Sequence, residues 1–170
     1  MFILIIILYL YCSIDKNNKK RIMEKHRKIV VIGGSAAGPK AAAKARRMDE
    51  FAEITILQKD ENLSMASCGY PYYIGGFFDN RNMLLSTPTG VVRDPKFYMN
   101  AKGIEAKNNT EATKINREDK TVEFRDNSSG KTGIIPYDKL ILATGASPKL
   151  PPVDGIELDG GQMNIRVFGN

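Results

Sequence analysis

Tryptophan is absent from the 170 residues, histidine occurs once, as His26, and cysteine twice, as Cys12 and Cys68. One histidine and one cysteine beyond the leader cannot make up a conventional zinc site, so no metal centre is expected. Two cysteines, one of them in an apolar leader, make no disulfide framework; this fits a reducing compartment, and the cytoplasm is the expected location. Long apolar runs are also missing. The opening "MFILIIILYLYC" would span roughly 17 Å as a helix, against roughly 30 Å for a bilayer core. It has no basic segment ahead of it and no small-residue cleavage site, so it does not read as a secretory signal. Residues 1–27 are expected to be an extension outside the fold, with a membrane anchor as the less favoured alternative.

Evenly spread positive charge is lacking too. The net charge of +6 concentrates in residues 15–28, which carry seven Lys or Arg against two acids, while residues 29–170 carry 18 against 17. A basic leader without groove-reading or stacking motifs is a solvated tail rather than a nucleic-acid arm, so no nucleic-acid partner is expected. What remains is ordinary globular material, 42% apolar and 26% charged, enough for one domain with a proper core.

That domain opens on "RKIVVIGGSAAGPKAAAKARRMDE". The β-branched run Ile29 to Ile32 suits a strand buried on both faces. A glycine turn follows, then an alanine-rich helix over Pro39 to Met48, proline being tolerated in a first helical turn. A second apolar strand, "AEITILQ" at 52–58, completes a βαβ unit. Unpaired N–H groups at such a helix start can hold a diphosphate. Gly33 permits the tight turn, and Gly38 lets helix and strand approach. Ser35 stands where the fingerprint has its middle glycine. Gln58, twenty residues after Gly38, stands where an acid normally holds a ribose; its amide can still bond a hydroxyl but carries no charge. Alone, the fingerprint leaves a plain glycine turn open. Farther on, "YDKLILATGASP" reads as a short strand running into Thr144 and Gly145. Between them, "GIEAKNNTEATKINRED" and "KTVEFRD", followed by the turn-rich "NSSGKTG", suggest an attached β-meander. The fold class read from these elements is α/β, with a parallel sheet and an attached β-meander over residues 28–150.

Cys68 lies in "SMASCGYPYYIGG". An isolated cysteine reads first as an inert buried thiol. However, "VVIGGSAAG", "SMASCGYPYYIGG", "TPTGVVRDPKFY" and "LILATGASP" together resemble the flavin-dependent pyridine nucleotide-disulfide oxidoreductases. The match is to the single-cysteine branch of coenzyme A-disulfide reductases, NADH oxidases and peroxidases, and polysulfide reductases, and it covers residue 28 to about 160. The spacing Ser-x-x-x-Cys-Gly-x-Pro-Tyr is its sharpest feature. Members with a cysteine pair have four residues between the two; here Leu63 and Tyr73 occupy those positions, so no internal pair can form.

The resemblance implies a Rossmann-like FAD/NAD(P)-binding fold over residues 28–150, with its FAD domain incomplete, in which FAD lies over Gly33, Gly34, Ser35, Ala36, Ala37 and Gly38, with Gln58, Lys59, Ala143, Thr144 and Gly145 beside it. In that branch Ser35 is usual, whereas Gln58 in place of Glu departs from the pattern. Cys68 becomes the redox nucleophile at the start of a short helix, whose dipole favours the thiolate. NAD(P)H is the implied donor, and a small disulfide such as coenzyme A disulfide, polysulfide, or peroxide or oxygen the acceptor. Lys44, Arg47, Ser64, Ser67 and Lys102 fall at coenzyme-contacting positions, although solvated helix charge explains Lys44 and Arg47 equally well. Full-length relatives add a nicotinamide unit and a homodimerisation domain. Residues 151–170 are expected to be a truncated tail. A catalytically incomplete flavin- or nucleotide-binding fragment is the alternative function; a nicotinamide-binding unit is disfavoured by the cysteine and "ATG" motifs.

Overall fold

A computed structural model describes residues 26–146. The apolar leader with Cys12, the end of the "ATGASP" stretch and the 151–170 tail lie outside the described residues. The chain forms strand β1 (Lys28–Ile32), helix α1 (Ala37–Met48) and strand β2 (Glu53–Leu57). Then come a 3-10 turn (Ser67–Gly69), helix α2 (Tyr70–Ile74), a second 3-10 turn (Arg81–Leu84) and helix α3 (Pro95–Lys102). Five strands close the described part: β3 (Glu105–Lys107), β4 (Thr110–Asn116), β5 (Thr121–Asp126), β6 (Thr132–Pro136) and β7 (Lys139–Leu142).

Two sheets result, a parallel one ordered β3-β2-β1-β7 and an antiparallel one ordered β4-β5-β6. β1 pairs with both neighbours in register, Val31 opposite Ile56 and Ile141. Because side chains alternate along a strand, the apolar run of β1 divides between two cores. Ile29 and Val31, with Ile54 and Ile56, face Ala42 of α1 and Tyr98 of α3. Val30 and Leu57 face Val122 of the meander. The parallel sheet is thus the middle of three layers, covered on both faces as parallel sheets require.

The architecture is the expected Rossmann-like α/β fold with its meander, and three boundaries differ. α1 begins at Ala37, two residues before Pro39. The stretch after Gly103 divides, β3 joining the parallel sheet and β4 the meander. α3 had no reading from periodicity, yet its ends are marked in the sequence. The Asp94 carboxylate accepts from the Phe97 N–H at 2.7 Å, Pro95 follows, and Gly103 closes the helix at φ 59°.

Candidate functional site

The glycine turn sits where the C-terminal ends of β1, β2 and β7 converge. Gly33 has φ 107°, a conformation open mainly to glycine, and its N–H donates to the Leu57 carbonyl at 2.8 Å. A methyl group on Gly33 would stand 2.1 Å from the Ala143 carbonyl oxygen, and one on Gly38 would stand 1.8 Å from the Gly33 carbonyl oxygen. Gly38 therefore lets the helix approach the turn itself more than the strand. Gly34 is equally confined, by the side chains of Leu63 and Gln58.

Above this cradle the start of α1 is bare. Ala36 caps it without a side-chain hydrogen bond, and its first turn holds no acidic residue. Ser35, Ala36 and Ala37 are exposed. The first N–H groups of a helix have no partner within it, so the site presents donors and a positive dipole end to anything anionic. Thr144 and Gly145 are exposed beside it, after Ala143 donates its N–H to Ile32. These features fit a dinucleotide diphosphate.

Gln58 also has partners within the protein. It is buried; its Oε1 accepts from the Gly34 N–H at 2.8 Å, and its Nε2 donates to Asp60 Oδ2 at 3.1 Å. One end of the carboxamide holds the turn and the other holds Asp60, and each end keeps one further hydrogen-bonding position. Asp60, the partner that explains an amide here, is what sequence reasoning missed, and it stood two residues away. Lys59 is exposed, and its carbonyl accepts from the Asn127 side chain.

The cysteine segment is attached to the same turn. The Ser64 N–H donates to the Gly34 carbonyl at 2.7 Å, with Ser64 in the left-handed region at φ 52°. Its hydroxyl is hydrogen-bonded to the Tyr98 hydroxyl. Burial raises the Tyr98 phenol above its ordinary value, against the opposing pull of the Ser64 bond and the Arg93 charge. Four residues on, Cys68 is free and exposed in the 3-10 turn that runs into α2. Among the described residues, Cys68 is therefore at the surface rather than in the core. The Ala66 N–H donates to Leu84, and a methyl on Gly69 would stand 2.5 Å from the Leu84 side chain, so the second 3-10 turn backs the cysteine loop.

Other expected residues lie elsewhere. Ser67 is exposed beside Cys68, and Lys44 and Arg47 are exposed on α1. Lys102 ends α3 with its Nζ 5.9 Å from the Phe97 ring centroid. The two helix ends are joined by Arg46, whose guanidinium donates to the Glu50 and Gly103 carbonyls, both at 2.6 Å. Among the described residues no cluster of three His, Cys, Asp or Glu could hold a metal, and no helix is long and apolar enough to cross a membrane.

The parallel sheet, the close-packed glycine turn and the uncapped helix above it define a Rossmann-like dinucleotide-binding unit. The chain belongs to the family of pyridine nucleotide-disulphide oxidoreductases, whose model matches residues 27–168. It is 38% identical to the coenzyme A disulfide reductase of Staphylococcus haemolyticus over 120 residues, 71% of this chain and 26% of that protein. It is 32% identical to the NAD(P)H coenzyme A polysulfide/persulfide reductase of Pyrococcus horikoshii, over 79% of this chain and 28% of that one. Among solved structures, a NAD-dependent persulfide reductase from A. fulgidus matches with a TM-score of 0.75 and 42% identity, covering 78% of this chain and 24% of that one. The chain thus spans about a quarter of the length of the relatives it matches.

Proposed function

We propose that this chain is the flavin-binding part, residues 28–150, of a cytoplasmic oxidoreductase that passes electrons from NAD(P)H through FAD to Cys68, and that Cys68 reduces a small disulfide or polysulfide. The observation that carries it is the hydrogen bond from Ser64 to Gly34, which ties the exposed cysteine segment to the dinucleotide cradle. Gly33 to Gly38 would hold the FAD diphosphate through main-chain N–H groups, with Ala143, Thr144 and Gly145 alongside. Gln58 holds the turn in shape through Gly34, and its remaining amide N–H could meet a ribose hydroxyl. When bound, the flavin supplies two-electron transfer between nicotinamide and sulfur.

The chain's own step is thiol–disulfide exchange. The Cys68 thiolate attacks one sulfur of the substrate, the substrate S–S bond breaks, a Cys68–substrate disulfide forms, and the other thiolate leaves with the electron pair. No second cysteine lies in the segment to resolve it, so the mixed disulfide waits for reduction by the two electrons that NAD(P)H supplies. Names and positions of the relatives favour coenzyme A disulfide or a persulfide as substrate. Ser67, Lys44, Arg47 and Lys102 would contact the coenzyme, whereas Ser64, paired with Tyr98, is a positioning residue.

The test has two readouts. The protein should retain FAD through gel filtration, and coenzyme A disulfide should add coenzyme A at Cys68 on peptide mass mapping. A colourless protein in excess FAD, or an unmodified Cys68, defeats the reading. A second reading, a flavin-binding unit without turnover, is favoured by the single glycine cradle among the described residues, since NAD(P)H needs a site of its own. Flavin that stays oxidised when NADH is added anaerobically would select it.

A further inference from the structure

Beside the cysteine loop is an open cleft of about 490 Å³ that the cradle and the exchange step leave unused. Ala66, Asn82, Ser86, Thr87 and Arg93 are among its lining residues. We propose that this cleft is an oxyanion subsite in which Arg93 receives the negatively charged end of the small disulfide whose sulfur meets Cys68. The inference rests on the reading of Cys68 as the reacting thiol.

The cleft is adjacent to the cysteine by construction. Ala66 precedes Cys68 by two residues, at most about 7 Å of chain. Its walls are held by internal bonds. The Arg93 N–H donates to Leu85 at 3.0 Å, the Thr87 N–H donates to Val91 at 2.8 Å, and Ser86 Oγ donates to the Asn82 carbonyl at 2.6 Å. A cleft braced in this way needs little ordering when a ligand enters.

Arg93 is half-buried, and among the described residues its guanidinium has no ion pair or hydrogen bond. Five donors in a partly desolvated fork match a carboxylate or phosphate. Its neighbour Asp94 is engaged by the Phe97 N–H. Arg81 adds a second cation: its charge reaches Tyr70, two residues after Cys68, as that of Arg93 reaches Tyr98, the partner of Ser64. Lys44, Arg47 and Lys102 do not line the cleft, and Lys102 ends α3 about 12 Å along the helix from the Arg93 end.

The experiment compares mixed-disulfide formation at Cys68 of the full chain, read by peptide mass mapping, with three disulfides. These are dithiodipropionate (anionic), hydroxyethyl disulfide (neutral) and cystamine (cationic), each rate divided by that on the urea-unfolded chain. The anionic reagent should lead the neutral one by about tenfold, the order of one charge-assisted contact. Arg93→Gln should bring the two to parity and Arg93→Lys should keep part of the lead, both with unchanged thermal midpoints. At matched ionic strength, inorganic phosphate abolishing the lead assigns a phosphorylated substrate, and propionate alone doing so a carboxylate; competition by neither overturns the subsite. Charge-blind reaction, or a lead that survives in Arg93→Gln, also overturns it while leaving the exchange reading intact. A Cys68 inert to all three reagents overturns that reading, and the subsite with it.

Discussion

At the scale of single residues, Gln58 shows why a fingerprint position cannot be assigned a ligand without its neighbours. The amide is suited to this place because one end accepts from Gly34 and the other donates to Asp60. In Gln58→Glu the acceptor for Gly34 survives, but a carboxylate meets the Asp60 carboxylate where a donor had been. Like charges at this range destabilise, and folding should weaken by about 1–2 kcal/mol at neutral pH, easing as the pH falls through the carboxylate range. Adding Asp60→Asn should restore most of the loss in a denaturant titration; an undiminished loss would refute the pairing. Tyr98 gives a second residue-level expectation. Its folded phenol holds its proton more tightly than the unfolded one. Above about pH 10 the unfolded phenol therefore ionises first, unfolding releases a proton, and stability falls as pH rises. Tyr98→Phe should lose about 1 kcal/mol at pH 7 with the Ser64 bond, and should flatten the alkaline decline in thermal midpoint. Gly33 and Gly38 were legible in the sequence because only a Cβ-free residue fits such contacts. Asp60 and Tyr98 were not, because their roles are set by partners that only the fold brings near.

Among the elements, β1 and β7 could be read directly, β1 from its continuous β-branched run and β7 from a short apolar run that leads straight into a glycine turn. The helix over Ala37–Met48 was read late by two residues, because Pro39 looks like a helix start but is compatible with any position of a first turn. α3 was invisible to apolar periodicity, being short and mixed in character, although its caps were in plain sight. Those caps matter to the site, because α3 carries Tyr98, and Tyr98 holds Ser64, the residue that anchors the cysteine segment to the cradle. Removing the cap in Asp94→Ala should cost about 1 kcal/mol, as N-cap losses do. Amide exchange should accelerate at Phe97 and in the segment from Ser64 to Cys68, while β1 and β2 stay protected. Faster exchange confined to α3 would show that the cysteine segment is held by other means.

For the molecule as a whole, the meander is the element whose placement the sequence could least convey. Strand pairing within it follows from local alternation and turns, but its docking face depends on contacts made across the sheet. Val122 is fully buried against Val30 and Leu57, and Phe124 packs beside them. The Asn109 N–H to Asp60, the Thr110 N–H to Gln58 and the Asn127 amide to Lys59 fasten the meander to the strand end that shapes the glycine turn. The meander thus supports the site from behind and should unfold with it rather than before it. Val122→Ala removes two methyl groups at this junction and should cost about 2 kcal/mol. With tryptophan absent, tyrosine fluorescence and far-ultraviolet dichroism are independent probes, the first weighted toward the segment from Tyr70 to Tyr98 and the second toward the sheets. In both native protein and variant the two transitions should coincide, with the variant's midpoints lowered together. An earlier dichroism transition in Val122→Ala, with the fluorescence midpoint unmoved, would mean that the meander is a separate cooperative unit and that the cradle keeps its shape without it.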